Sequence, residues 1–223
     1  MVRTGVLAAA VLACVSFGFA AAISIPNSSF EAGTGFDPGQ PSSWNHGETL
    51  GNAGAGGFLQ VLSNSAFIGK DLNNYLLINA DGGPVDGAGT TTRFIWTDSL
   101  GTYAADTAYT LTVSLATTAN FSTNRSAILS LQADGTTVQS TTKLFTDLSD
   151  TQFQDFSVVL DSQVMPSVIG KNISVMITQS VTDETFGKSL AVDDVRLDAS
   201  PVPEPSGLGL LGAFGLLVLR RSR

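Results

Sequence analysis

Reactive side chains are scarce in this sequence, which has one cysteine and one histidine in 223 residues. The cysteine, Cys14, lies inside an apolar run from Gly5 to Ala22 that follows a lone Arg3. An early positive charge, an apolar stretch and the small residues Ala20-Ala21-Ala22 make a secretory signal peptide over residues 1–22, with cleavage expected after Ala22. Val11-Leu12-Ala13-Cys14 faintly resembles a lipoprotein site, but the chain stays apolar after it, where a polar tether is needed. The mature chain then has no cysteine. That excludes disulfides, thiolate metal sites and cysteine nucleophiles. A core of about 178 residues can stand without such staples.

The histidine, His46, sits in the polar stretch Asn45-His46-Gly47-Glu48 and reads as a solvated loop residue. There is no Gly-x-Ser-x-Gly elbow and no His-Glu-x-x-His helix. Asp183-Glu184 and Asp193-Asp194 are adjacent pairs, and sequence cannot set two carboxylates across a cleft as glycoside hydrolysis requires. No catalytic residue is assigned, and the expectation is a protein that is not an enzyme.

Positive charge is scarce as well, with 11 Lys+Arg against 19 Asp+Glu. Setting aside Arg3, Arg220, Arg221, Arg223 and Glu204 leaves 7 basic and 18 acidic residues, net −11. A nucleic-acid partner needs the opposite field, and an anionic membrane surface is excluded likewise. Many carboxylates suit calcium, whose ligands are oxygens, and equally suit plain solubility.

Helical periodicity is missing too. Alternation prevails, most strictly in Tyr109-Thr110-Leu111-Thr112-Val113-Ser114-Leu115. Phe58 to Leu62, Tyr75 to Ile78, Thr91 to Trp96, Phe153 to Leu160, Ile173 to Thr178 and Leu190 to Leu197 also read as strands. Ile128 to Gln132 pairs with Thr136 to Gln139 across a turn in Ala133-Asp134-Gly135. A helical turn fits only at Thr146 to Gln152. Roughly nine strands joined by Gly- and Asp-rich loops imply an all-β antiparallel sandwich. The glycine-rich stretches Gly51 to Gly57 and Asp81 to Gly89 are rim loops, since neither carries a phosphate-cradle ending. Ala199 to Ser206 reads as a linker.

The C-terminus runs Pro201-Val202-Pro203-Glu204-Pro205-Ser206, then apolar from Gly207 to Leu219, then Arg220-Arg221-Ser222-Arg223. The prolines keep the chain extended and open to a protease. A 13-residue helix spans about 20 Å, short of a bilayer core of about 30 Å, and the arginines hold the end on the cytoplasmic side. This segment resembles the PEP-CTERM sorting signal, with Val202, Pro203, Glu204 and Pro205 as its motif. The resemblance covers residues 200–223. It implies a Gram-negative bacterium, transient anchoring in the inner membrane, cutting by an exosortase, and release or attachment at the cell surface.

The body, residues 23–199, carries a second resemblance. Ile25-Pro26-Asn27-Ser28-Ser29-Phe30-Glu31, Pro41-Ser42-Ser43-Trp44, Thr107 to Val113 and Leu190-Ala191-Val192-Asp193-Asp194-Val195-Arg196-Leu197 stand in the order of the galactose-binding-like jelly roll of carbohydrate-binding modules. That family opens with an Asn-x-x-Phe-Glu strand. The resemblance implies a structural Ca²⁺ held by Glu31 with Asp194 or Asp193, and no other cofactor. It also implies sugar stacking on exposed aromatics, for which Trp44, Trp96, Tyr75 and Tyr103 are the candidates, although both tryptophans also suit the core. The function expected is an exported, non-enzymatic surface or matrix protein associated with exopolysaccharide. A glycan-specific carbohydrate-binding module and a jelly-roll glycoside hydrolase or lyase are the alternatives.

Overall fold

Alternation decides which side of each strand is buried in the computed structural model, which describes residues 20–32, 35–36, 41–49, 56–62, 67, 74–81, 90–118, 124–182 and 189–202. Among them are twelve strands: β1 Ala21–Ile23, β2 Gly35–Phe36, β3 Trp44–Thr49, β4 Gly56–Leu62, β5 Tyr75–Asp81, β6 Thr91–Thr97, β7 Thr107–Thr117, β8 Arg125–Ala133, β9 Thr136–Leu144, β10 Gln154–Asp161, β11 Ile173–Val181 and β12 Leu190–Pro201. Seven form one antiparallel sheet in the order β10-β7-β12-β5-β4-β2, with β1 beside β12. Five form the other, in the order β3-β6-β11-β8-β9. The all-β antiparallel sandwich expected from the sequence is the fold.

In β6, Thr91, Arg93, Ile95 and Thr97 are buried between the sheets, while Thr92, Phe94 and Trp96 take the outer face. The core joins both sheets through Leu76, Ile78, Leu111, Leu115, Leu129, Ile177 and Val192, among others. At one end the five-stranded sheet closes on a single residue of β5. Arg125 Nη1 donates to the Ala80 carbonyl at 3.0 Å, and the Ala80 N–H donates to Gln179 Oε1 at 3.1 Å. The buried cation and amide thus satisfy backbone groups between the layers.

Some local expectations change. The opening motif is a turn where a strand was expected: Asn27 and Phe30 have φ of 49° and 57°. Asn27 knots this turn, donating to the Ala32 carbonyl and accepting from the Ala32 N–H, both at 2.9 Å. Asparagine tolerates the left-handed region and bonds nearby backbone, which makes it suited to the position. His46 lies in β3, exposed. The helical turn is 3-10 and spans Phe145–Asp147. Asp134 and Gly135, with φ of 49° and 77°, make the tight β8–β9 connection.

The ends of the body also differ. Ala21 and Ala22, expected to leave with the signal peptide, pair with Ala199 and Asp198. Ala199 to Pro201, expected as linker, continue β12 against Tyr109, Ala108 and Thr107. Among the described residues no helix is long and apolar enough to cross a membrane. Residues 1–19, the Pro203, Glu204 and Pro205 motif, the apolar run after it, and Asp183-Glu184 lie outside the described residues.

Candidate active site

On the outer face of the seven-stranded sheet, the pairing register sets side chains in rows. Ser114 of β7 stands opposite Asp193 of β12, with Asp155 of β10 on its other side. One residue past the β12–β5 pair Val192–Leu76, Tyr75 continues this row. The next row holds Ala116, Ala191 and Leu77. Phe153, just before β10, and Phe67, from the chain between β4 and β5, pack over them. The three rings gather edge-on and tilted, with centroids 5.4 Å (Phe67–Tyr75), 5.8 Å (Phe67–Phe153) and 5.8 Å (Tyr75–Phe153) apart.

Asp193 is fully buried and is the one buried acid among the described residues. A carboxyl in such a place needs support, and a bulge supplies it. The register shifts between Asp193 and Arg196, Asp194 takes φ of 45°, and the Asp194 N–H donates to Asp193 Oδ1 at 2.7 Å. The bulge holds the Asp193 carboxyl on the outer face beside Tyr75. Around it, Ser114 Oγ donates to Asp155 Oδ1 at 2.7 Å, and Arg196 Nη2 donates to Asp155 Oδ2 at 2.8 Å. Arg196 Nε lies 3.5 Å from Asp194 Oδ2. Burial works against the Arg196 charge, but the Asp155 bond and the charges of Asp194, Asp155 and Asp198 outweigh it and raise its pKa.

A buried carboxyl near an aromatic cluster can exchange a proton with an apolar substrate and leave a cation near aromatic π-systems. This needs no histidine, thiol or metal. A search for hydrolytic machinery therefore passes over it.

The outer face of the five-stranded sheet carries a groove of about 820 Å³, bordered by Phe94, Trp96, Met176, Gln132, Asp134 and Asn172. Phe94 and Trp96 lie 5.6 Å apart, tilted by 37°. The acid here, Asp134, is exposed, and its Oδ1 accepts from both the N–H and Nδ2 of Asn172 at 2.9 Å. That carboxylate fastens a turn. The groove is roomy, and its acid is committed to that turn.

The expected sugar platforms separate accordingly. Trp44 is 0 % exposed, tilts against Phe30 at 5.5 Å, and donates from Nε1 to the Asn27 carbonyl at 3.2 Å. Tyr103 is buried edge-on to Tyr109 at 4.8 Å, and its hydroxyl donates to the Gln132 carbonyl at 3.2 Å. Neither offers a face to a ligand. Tyr75 is buried within the cluster beside Asp193, and Trp96 borders the groove. Glu31 accepts the Asn74 N–H at 2.8 Å, while the Val195 N–H donates to the Ser28 carbonyl at 3.0 Å. The opening turn and the closing bulge are therefore neighbours. No group of three or more His, Cys, Asp or Glu side chains gathers there or elsewhere among the described residues. Val202 ends the described chain, its N–H donating to the Asp106 carbonyl at 2.8 Å.

The fold and the buried acid define a β-sandwich with an aromatic-walled acid site. Residues 21–198 match the model of the HpiC1-like family, described as HpiC1 cyclase, and the chain belongs to that family. A Stig cyclase from Fischerella sp. TAU, solved with (3Z)-3-(1-methyl-2-pyrrolidinylidene)-3H-indole, is similar at 16% identity and TM-score 0.58, over 83% of this chain and 100% of that one. A cyclase from Fischerella sp. TAU with 4-(1H-indol-3-yl)butan-2-one is similar at 16% identity and TM-score 0.60, over 82% and 100%. A carbohydrate-binding module of the β-sandwich superfamily reaches 17% identity and TM-score 0.47, over 71% and 58%. No curated protein matches the chain. The expectation of a non-enzymatic, exopolysaccharide-associated surface protein is overturned by membership of a cyclase family, and so is the expectation that the chain is not an enzyme.

Proposed function

We propose that the chain is a cyclase-type enzyme acting on an aromatic small molecule at the Asp193 site. The observation that carries this is the fully buried Asp193 carboxyl in the row of Tyr75, whose ring packs with Phe67 and Phe153. The Fischerella cyclases were solved with indole compounds, which supports a flat aromatic substrate. In the reaction, Asp193 gives its proton to an unsaturated position, and the resulting cation faces the rings. A tethered π-bond closes on the cation, and loss of a proton to the carboxylate restores the acid. Product and substrate are isomers. The test is to incubate the protein with indoles carrying a tethered alkene and look for a new species of unchanged mass. Asp193→Asn keeps the shape and removes the acid, so conversion falls at least about 100-fold. Undiminished conversion by this variant refutes the assignment.

Export and tail processing form a second part of the reading, supported by the N-terminal pattern and the PEP-CTERM resemblance. A cut by an exosortase within Pro203 to Pro205 removes nothing from β12, which ends at Pro201. The mass of the mature protein tests this. Calcium is proposed between the opening turn and the closing bulge, where Glu31 and Asp194 would supply carboxylate oxygens suited to a hard cation. Its test is a higher Tm in calcium than in chelator.

A further inference from the structure

Asn79 is 1 % exposed, and neither its Nδ2 nor its Oδ1 has a hydrogen-bond partner among the described residues. It lies in β5, in the otherwise apolar run Leu76-Leu77-Ile78-Asn79-Ala80. Alternation sends Leu76 and Ile78 into the core and puts Asn79 on the outer face with Tyr75 and Leu77. A buried amide without partners is costly, and native chains avoid it. Where one is kept on the face of a reactive acid, a ligand is the natural partner.

The register gives the spacing. Asn79 follows the pair Ile78–Leu190 and so faces Ser189, four residues before Asp193 on β12. At about 3.3 Å per residue, Asn79 and Asp193 stand about 13 Å apart along the strand. Between them lie Ala116 and Ala191, the smallest side chains of the cluster. The arrangement is an acid at one end, a carboxamide at the other, and between them two alanines packed in the cluster of Phe67, Tyr75 and Phe153.

We infer that Asn79 anchors the substrate of the Asp193 site by hydrogen bonds. The substrate is then an elongated, neutral molecule with a donor or acceptor, such as a ring N–H or a carbonyl, far from the atom that meets Asp193. This rests on the proposed cyclase reading. It makes Asn79 a specificity-determining residue that takes no part in proton transfer.

The experiment uses Asn79→Leu, close in size and unable to hydrogen-bond. Two probes are 4-(1H-indol-3-yl)butan-2-one, with an N–H and a carbonyl, and 2-butylnaphthalene, with neither. The wild type binds the indole ketone more tightly. Asn79→Leu loses that preference by tenfold or more, and its own Tm rises by a few degrees because a bare amide has gone. A lower Tm in Asn79→Leu overturns the inference, since the amide is then partnered within the fold. Discrimination that is unchanged, or absent in the wild type, overturns it as well. Neither readout needs turnover. Full conversion by Asp193→Asn therefore defeats the cyclase reading separately.

Discussion

Trp44 separates a ligand platform from a core residue, and its replacement has a definite expected size. The ring is fully buried, tilts on Phe30 and bonds the Asn27 carbonyl. Trp44→Ala removes a large buried ring and one hydrogen bond, a loss of about 4 kcal/mol. In a domain of about 180 residues each kcal/mol moves Tm by about 2–4 °C, so the drop is about 8–16 °C. Trp44→Phe keeps most of the ring and loses roughly half as much. Urea melts give the free energy, and calorimetry gives Tm. Binding of the indole ketone by Trp44→Phe should equal that of the wild type. A Trp44→Ala loss below about 1 kcal/mol, the range of surface changes, would falsify the placement of this ring in the core.

Tyr103 predicts an alkaline limit: burial first, and the charge of Tyr109 second, push its phenol well above the ordinary value. Its contribution is complete below the unfolded pKa of about 10 and is lost as pH rises through the folded one. Tyr103→Phe should flatten the fall in stability above about pH 10 in urea melts; an unchanged slope counts against the burial. Gly47→Ala acts on the groove, because a Cβ there would stand 2.8 Å from Phe94 Cε2 and 2.9 Å from Cζ. The Phe94 ring must swing, which disturbs Trp96 and shifts its fluorescence, while Tm drops only slightly because the ring is half-exposed. An unaltered spectrum contradicts that contact.

The strands were legible because alternation is a local property. Tyr109 to Leu115 shows its buried face within seven letters, and the Asp134-Gly135 turn names its own hairpin. The candidate site was legible only in part. Asp193 stood out as half of an acidic pair, and the jelly-roll resemblance linked that pair to calcium. The place of Asp193 depends on a bulge and on the pairing of β12 with β5 and β7, which no local pattern reveals. Asn79 had a weak signal as a lone amide in an apolar run. Trp44 and Trp96 show the same limit: a tryptophan near an edge reads alike whether it faces the core or the solvent.

β12 is the last described strand, and it pairs with β5, β7 and β1. Until it has been made, the larger sheet is in separate pieces: β2, β4 and β5 on one side, β7 and β10 on the other, and β1 alone. Asp193 and the cluster residue Ala191 arrive with the same strand. The sandwich and its acid therefore form together, late in synthesis, through contacts distant in sequence that are slow to close. Under the proposed export, the larger sheet closes only once its final strand is through the membrane.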